Sequence, residues 1–259
     1  PALVLQGTMK HIDLKGTSRI DLELIVDEPP LRVRYAKGQG TTLVVSLSGV
    51  GTVRADEPPI ELFAASRGDE NRHVLFATDQ SRSWMNGPQI AERLKEVVEM
   101  YAEDIGAENI VAIGNSMGGT MALHLSQITS IDTVIAFVPQ YSVHLDEMPD
   151  EPRWMYFRKQ IANWPFETVQ TVPEDTTAYI IHGTDPDECR HLERFPRSDR
   201  MKHFVLPEQG HDLAQHLNRG SHMARIVERA IAGQPYWARK AIERAGGISR
   251  EVFEEQQNK

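Results

Sequence analysis

The sequence has 259 residues, 40% hydrophobic and 25% charged, enough apolar material for a buried core and too much for a disordered chain. A formal charge of −9 works against binding a phosphate backbone, so nucleic acid is discounted as a partner. A single cysteine, Cys189, excludes an intrachain disulfide and a cysteine metal cluster, and no apolar run reaches the roughly 18 residues that span a bilayer. A reducing, cytoplasmic setting without an export signal is expected, and the oligomeric state is left open.

Residues 20–26 and 31–35 each alternate apolar and polar side chains, with Pro29 and Pro30 between them, which predicts an antiparallel hairpin. The run Thr42 to Ser48 is nearly continuous in apolar residues, the pattern of a strand covered on both faces. The same signature returns at 73–77, 109–114, 133–138 and 178–182. Between the strands, Ile90, Leu94, Val97, Val98 and Tyr101 fall on one helical face, and residues 117–126 continue as a helix directly from a strand. Strands alternating with helices imply an α/β domain with a mostly parallel central sheet and helices on both faces.

Residues 140–175 interrupt this rhythm with Tyr141, Trp154, Tyr156, Phe157, Trp164 and Phe166 set among prolines and acids. A short cap inserted into a single domain spanning 1–259 is expected there, with a large crossover helix as the alternative. Residues 204–207 form a short last strand, and 222–259 read as one or two closing amphipathic helices with a charged tail.

Gly114-Asn115-Ser116-Met117-Gly118 lies where the strand 109–114 gives way to a helix. A strand-to-helix turn this sharp crowds its own backbone, so small residues must flank the serine, whose Oγ is pushed out above the sheet edge. Ser116 is therefore the candidate nucleophile, and the Met117 amide, at a helix N-terminus, is placed to stabilise negative charge. A serine hydroxyl needs a base to take its proton. Among ten histidines, His211 follows the last strand in the turn Glu208-Gln-Gly-His-Asp, where Gly210 lets the chain bend back over the sheet. His182 ends a buried strand and reads as a packing residue, the next candidate for the base; His216 and His222 read as surface residues. The acid that orients the base is sought at Asp185-Pro186-Asp187-Glu188, after the strand ending in His182. A second oxyanion donor is expected from Ser48-Gly49-Val50-Gly51, with the Val50 amide preferred and Gly49 close behind. A phosphate-cradling loop is disfavoured there because no Gly-Lys-Ser/Thr ending follows.

Together these segments resemble the α/β-hydrolase superfamily from about Ile20 to the helix after His211. The segment Asp79-x-x-Arg82 is similar to that family's structural turn after its fourth strand. Ser48-Gly49 stands where the family usually has His-Gly, and the interval from Gly183 to the acid is one residue short. The acid-proline pair favours Asp185 as the triad acid over Asp187, with Glu188 third. The resemblance implies acyl transfer: a serine esterase acting on a small-molecule acyl substrate, with the triad Ser116, His211 and Asp185, the Val50 and Met117 amides as oxyanion hole, and neither metal nor organic cofactor. A thioesterase, amidase or acyltransferase with the same triad is the alternative, and a non-catalytic binding protein on the same fold is the rival from another class.

Overall fold

The computed structural model describes residues 8–12, 20–52 and 55–258. An antiparallel flank comes first: β1 (Thr8–Ile12), β2 (Ile20–Glu28) and β3 (Leu31–Ala36), the last two forming the expected hairpin about Pro29 and Pro30. Then follow β4 (Thr42–Leu47), α1 (Phe63–Arg67), β5 (His73–Asp79), α2 (Ile90–Asp104), β6 (Asn109–Asn115), α3 (Met117–Leu125), β7 (Thr133–Phe137), the single turn α4 (Met155–Arg158), β8 (Thr177–His182), α5 (Pro186–Arg194) and β9 (Met201–Val205). The chain closes with α6 (Leu213–Arg219), α7 (His222–Ile231), α8 (Pro235–Arg244), β10 (Ile248–Ser249) and α9 (Arg250–Gln257).

One ten-stranded sheet runs β1-β2-β3-β5-β4-β6-β7-β8-β9-β10. Its centre, β5-β4-β6-β7-β8-β9, is parallel, and β10 returns antiparallel on β9. The continuous apolar runs reflect burial on both faces: β4 sends Leu43, Val45 and Leu47 into one core and Val44 into the other, while β6 divides Ala112 from Val111 and Ile113. On the first face lies α2, burying Ile90, Ala91, Leu94, Val97 and Val98; on the second lies α7, burying Met223, Ile226, Val227, Ala230 and Ile231.

Two segments depart from expectation. Residues 140–175 form no helix longer than α4, so the large crossover helix does not arise. Fully buried Arg158 gathers the carbonyls of Val143 (2.8 Å), Met148 (2.7 Å), His144 (3.3 Å) and Glu151, supplying the backbone with the donors that a helix would have provided. The C-terminal stretch holds three helices and a strand rather than one or two helices. Gly233 (φ 62°), followed by Pro235 at the first turn of α8, stops α7, and Gly246 (φ 92°) stops α8. Among the described residues no helix is long and apolar enough to cross a membrane.

Candidate active site

Ser116 sits between β6 and α3 with φ 56° and ψ −124°, a strained conformation for a residue with a side chain. The flanking glycines show how the turn accommodates it. A Cβ at Gly114 would stand well inside 3.0 Å of the Gly118 carbonyl group, and one at Gly118 equally close to the Leu47 carbonyl oxygen. The turn is held by Ser116 N–H donating to the Phe137 carbonyl at 2.8 Å. Helix α3 thus starts hard against the end of β4, and the register pairing Leu47 with Gly114 puts the Ser48–Gly51 loop and Ser116 at the same carboxyl edge of neighbouring parallel strands.

His211 Nε2 lies 2.9 Å from Ser116 Oγ, and His211 Nδ1 lies 2.8 Å from Glu188 Oε1. A carboxylate can only accept, so Nδ1 carries the proton and Nε2 is left to accept from the serine hydroxyl. Gln140 Nε2 donates to Ser116 Oγ at 3.3 Å and to the Val138 carbonyl at 3.1 Å, while its Oε1 accepts from Trp84 Nε1 at 2.7 Å. A hydroxyl that accepts from Gln140 has its own proton free to point at His211. The turn bearing His211 is zipped to the loop after β8: Thr184 N–H donates to the Gln209 carbonyl at 2.7 Å and Glu208 N–H to Thr184 Oγ1 at 2.9 Å.

The acid facing His211 is therefore Glu188, not the preferred Asp185. Asp185 is the N-cap of α5, its Oδ1 accepting from Glu188 N–H at 2.8 Å with Pro186 at the first helical position. The Asp187 side chain turns outward to Arg190 (2.7 Å). Glu188, in the third position of the helix, is fully buried and reaches His211. Burial works to raise the Glu188 pKa, but the hydrogen bond and charge from His211, the charge of His182 and the hydrogen bond from Arg153 overcome it and hold the carboxyl down at about 2.

Around this acid stands a group that the sequence reading left unassigned. Arg153 Nη1 donates to the same Glu188 Oε1 at 2.7 Å and stands 3.4 Å from His211 Nδ1. Its other edge is taken by Glu151, through Nε to Oε1 at 2.9 Å and Nη2 to Oε2 at 2.7 Å. Buried His191 closes the series, Nε2 meeting Glu151 Oε2 at 3.0 Å and Nδ1 accepting from Tyr141 N–H at 3.1 Å. The Arg153 guanidinium also lies 4.5 Å above the Trp154 ring, which in turn leans on His211 at 5.4 Å between ring centres. Nothing in the spacing of Glu151, Arg153 and His191 announces the group, because two parts of the chain meet there only after folding.

On the other side of Ser116, Val50 is buried and Met117 opens α3. Gly49, the alternative loop donor, already gives its amide proton to Glu61 Oε2 at 3.3 Å; Asn115 Nδ2 reaches the same oxygen at 3.4 Å. Arg82 braces the loop, donating to the Val50 carbonyl at 3.3 Å, the Gln80 carbonyl at 2.9 Å and the Ala55 carbonyl at 2.7 Å. Asp79, fully buried, accepts from the amides of Ser81 and Ser83 and from both hydroxyls, and so fixes the turn that carries Arg82. His182 lies away from the serine, its Nε2 against the Pro139 carbonyl and its Nδ1 against His203 Nε2, both at 2.8 Å.

No family model and no curated protein sequence matches the chain. Solved structures do. The capsule O-acetyltransferase of Neisseria meningitidis serogroup A superposes with a TM-score of 0.59 at 13% identity, covering 83% of this chain and 97% of its own. The Pyrococcus furiosus esterase Pf2001 gives 0.53 at 15% identity, over 88% of this chain and 93% of the esterase. A Xanthomonas campestris α/β serine hydrolase, XC6422, gives 0.50 at 14% identity, over 88% and 96%. The chain has the α/β-hydrolase fold.

Proposed function

We propose that the protein is a serine hydrolase that cleaves a carboxylic ester of a small molecule through an acyl-enzyme, with Ser116 as nucleophile, His211 as general base and acid, and Glu188 as the acid of the triad. The observation that carries this reading is the unbroken series from Ser116 Oγ through His211 to Glu188, 2.9 and 2.8 Å per link, at a strained strand-to-helix turn. Ser116 Oγ attacks the carbonyl carbon as its proton passes to His211 Nε2, and Glu188 stabilises the imidazolium. The oxyanion is assigned to the Val50 and Met117 amides. Collapse breaks the bond to the alcohol, which leaves with the proton from His211, and water repeats the sequence in reverse on the acyl-serine. The 140–175 segment, whose Arg153 and Trp154 lean on His211, is read as the cap.

An acyltransferase using the same acyl-enzyme is the second reading, favoured by the likeness to an O-acetyltransferase across 97% of that chain. The two differ only in whether water or an alcohol takes the acyl group. Incubation with a fluorophosphonate should add one phosphonyl group to Ser116, located by peptide mass, and p-nitrophenyl acetate should release a burst of nitrophenol. Ser116→Ala should lose both while its circular dichroism and melting remain those of the wild type. An unlabelled wild-type Ser116, or burst activity in Ser116→Ala, overturns the nucleophile. Partition of the acyl group toward added alcohols, measured against hydrolysis, separates the two readings.

A further inference from the structure

We infer that Arg153 and Glu151 are positioning residues that together set how strongly Glu188 supports a proton on His211. The inference rests on the triad reading above and concerns residues outside the triad.

His211 Nδ1 and Arg153 Nη1 share one oxygen, Glu188 Oε1, at 2.8 and 2.7 Å. A guanidinium so placed has two opposed effects. It fixes the carboxylate where the imidazole needs it, and it offsets the negative charge that should stabilise imidazolium. Alone, Arg153 would leave the base facing a neutral pair. Glu151 restores the charge: it takes the guanidinium through two side-chain bonds and also accepts from Arg153 N–H at 2.7 Å. Glu151 is itself fixed by His191, which is neutral in this arrangement because Nδ1 accepts from an amide and only Nε2 carries a proton. Burial works to raise the Glu151 pKa, and the bonds from His191 and Arg153 overcome it, so it stays ionised. Glu188 and Glu151 therefore outweigh Arg153 by one negative charge, enough to balance one imidazolium. Half of that arrangement comes from α5 and half from the 140–175 segment.

Other charged and titratable groups stand around His211: Glu61 on the oxyanion side, Asp185 against Gly210, Asp212 next in the chain, and His182 and His191 behind Glu188. All of them stay in place in the variants below, so a shift between variants reports on Glu151 and Arg153.

The test uses the full-length protein and reads the second-order rate of Ser116 phosphonylation by a fluorophosphonate as a function of pH, which needs no knowledge of the natural substrate. Arg153→Met removes the positive charge, leaves two carboxylates near His211, and should move the acid limb of the rate up by roughly one pH unit. Glu151→Gln leaves Arg153 uncompensated and should move the limb down by a similar amount, with a lower plateau. The double variant removes one charge of each sign and should return the limb toward that of the wild type. Arg153→Lys keeps the charge and should keep the limb while the plateau falls. Should Arg153→Met fail to fold, the downward shift in Glu151→Gln, set against the unmoved limb of Arg153→Lys, still decides the matter. Limbs that stay within about 0.2 pH unit of wild type while plateaus fall overturn the inference and leave the triad standing. A wild-type Ser116 that is not phosphonylated overturns both.

Discussion

Glu188 and Asp185 stand three residues apart and do different work, so amide substitutions should separate them. Glu188→Gln keeps the volume but replaces the charge with an amide that can turn its NH₂ toward His211; in a well-studied triad such a change costs roughly four orders of magnitude in turnover, and at least two orders are expected here. Asp185→Asn should remain within a few-fold of wild type, because asparagine caps a helix about as well as aspartate, whereas Asp185→Ala should cost about 1 kcal/mol of stability. Steady-state kinetics on p-nitrophenyl esters and urea midpoints check the pair; a crippled Asp185→Asn with a normal Glu188→Gln would return the triad acid to Asp185. The sequence pointed to the segment 185–188 and preferred Asp185 in it, whereas the acid that faces His211 is Glu188, for a physical reason. An acid followed by proline is a strong helix-start signal, and a residue used as an N-cap has its carboxylate turned to its own helix. Which of the following acids faces the base depends on how α5 docks on the sheet, information that local spacing does not hold. Ser116 and His211 were legible because a tight turn demands small neighbours and a reversal demands glycine, both local requirements.

At the scale of elements, the elbow and the loop after β4 behave as one unit, since the space between Leu47 and α3 admits no side chain at Gly118. Gly118→Ala must displace main chain rather than a flexible side chain, and a loss of roughly 1–3 kcal/mol in stability, with activity falling further than stability, is expected. Gly119→Ala meets its nearest neighbours at 3.2–3.3 Å and should cost less. Thermal melts of the two variants check the order, and equal melting temperatures would refute it. The parallel strands and α2 were readable because burial on two faces writes a continuous apolar run and burial on one writes a helical stripe. Residues 140–175 were not readable in the same way: Arg158 replaces periodic backbone pairing with one side chain, and no period records that. The C-terminal helices were merged because the breaks at Gly233 and Gly246 are single residues inside an otherwise continuous amphipathic pattern.

For the molecule as a whole, His124, His182, His191 and His203 are among the histidines that lie inside it in neutral form. Burial lowers His124 to about 3 and His182 to about 4, and holds His203 well below its ordinary value with help from the neighbouring charges of His182 and Arg250. Above about pH 6.5 these residues are neutral folded or unfolded and add no pH dependence. Below it the unfolded chain takes up protons that the folded chain refuses, so stability falls with acid, by up to about 1.4 kcal/mol per pH unit for each histidine, until the lowered values are reached. Glu151 and Glu188, held low, add their own losses only below about pH 4.5. Denaturant midpoints should therefore drop between pH 6.5 and 4.5, and His124→Leu, which removes a buried ring stacked on Phe166, should flatten that drop. A slope unchanged in His124→Leu would show that this histidine is protonated in the folded state.

The parts of the site come from the carboxyl edges of β4, β6, β7, β8 and β9, five strands that are consecutive across the sheet. The bond from Ser116 to His211 joins residues 95 apart in sequence. The proposed catalytic pair therefore depends on long-range contacts rather than on any one local segment. The serine turn itself leans on β7, whose Phe137 carbonyl accepts from Ser116 N–H, and on β4, against which Gly118 packs, and its proposed base arrives only with the turn after β9. On the proposed reading, the nucleophile therefore acquires its base only together with the walls of the site, because both depend on the same long-range contacts across the sheet.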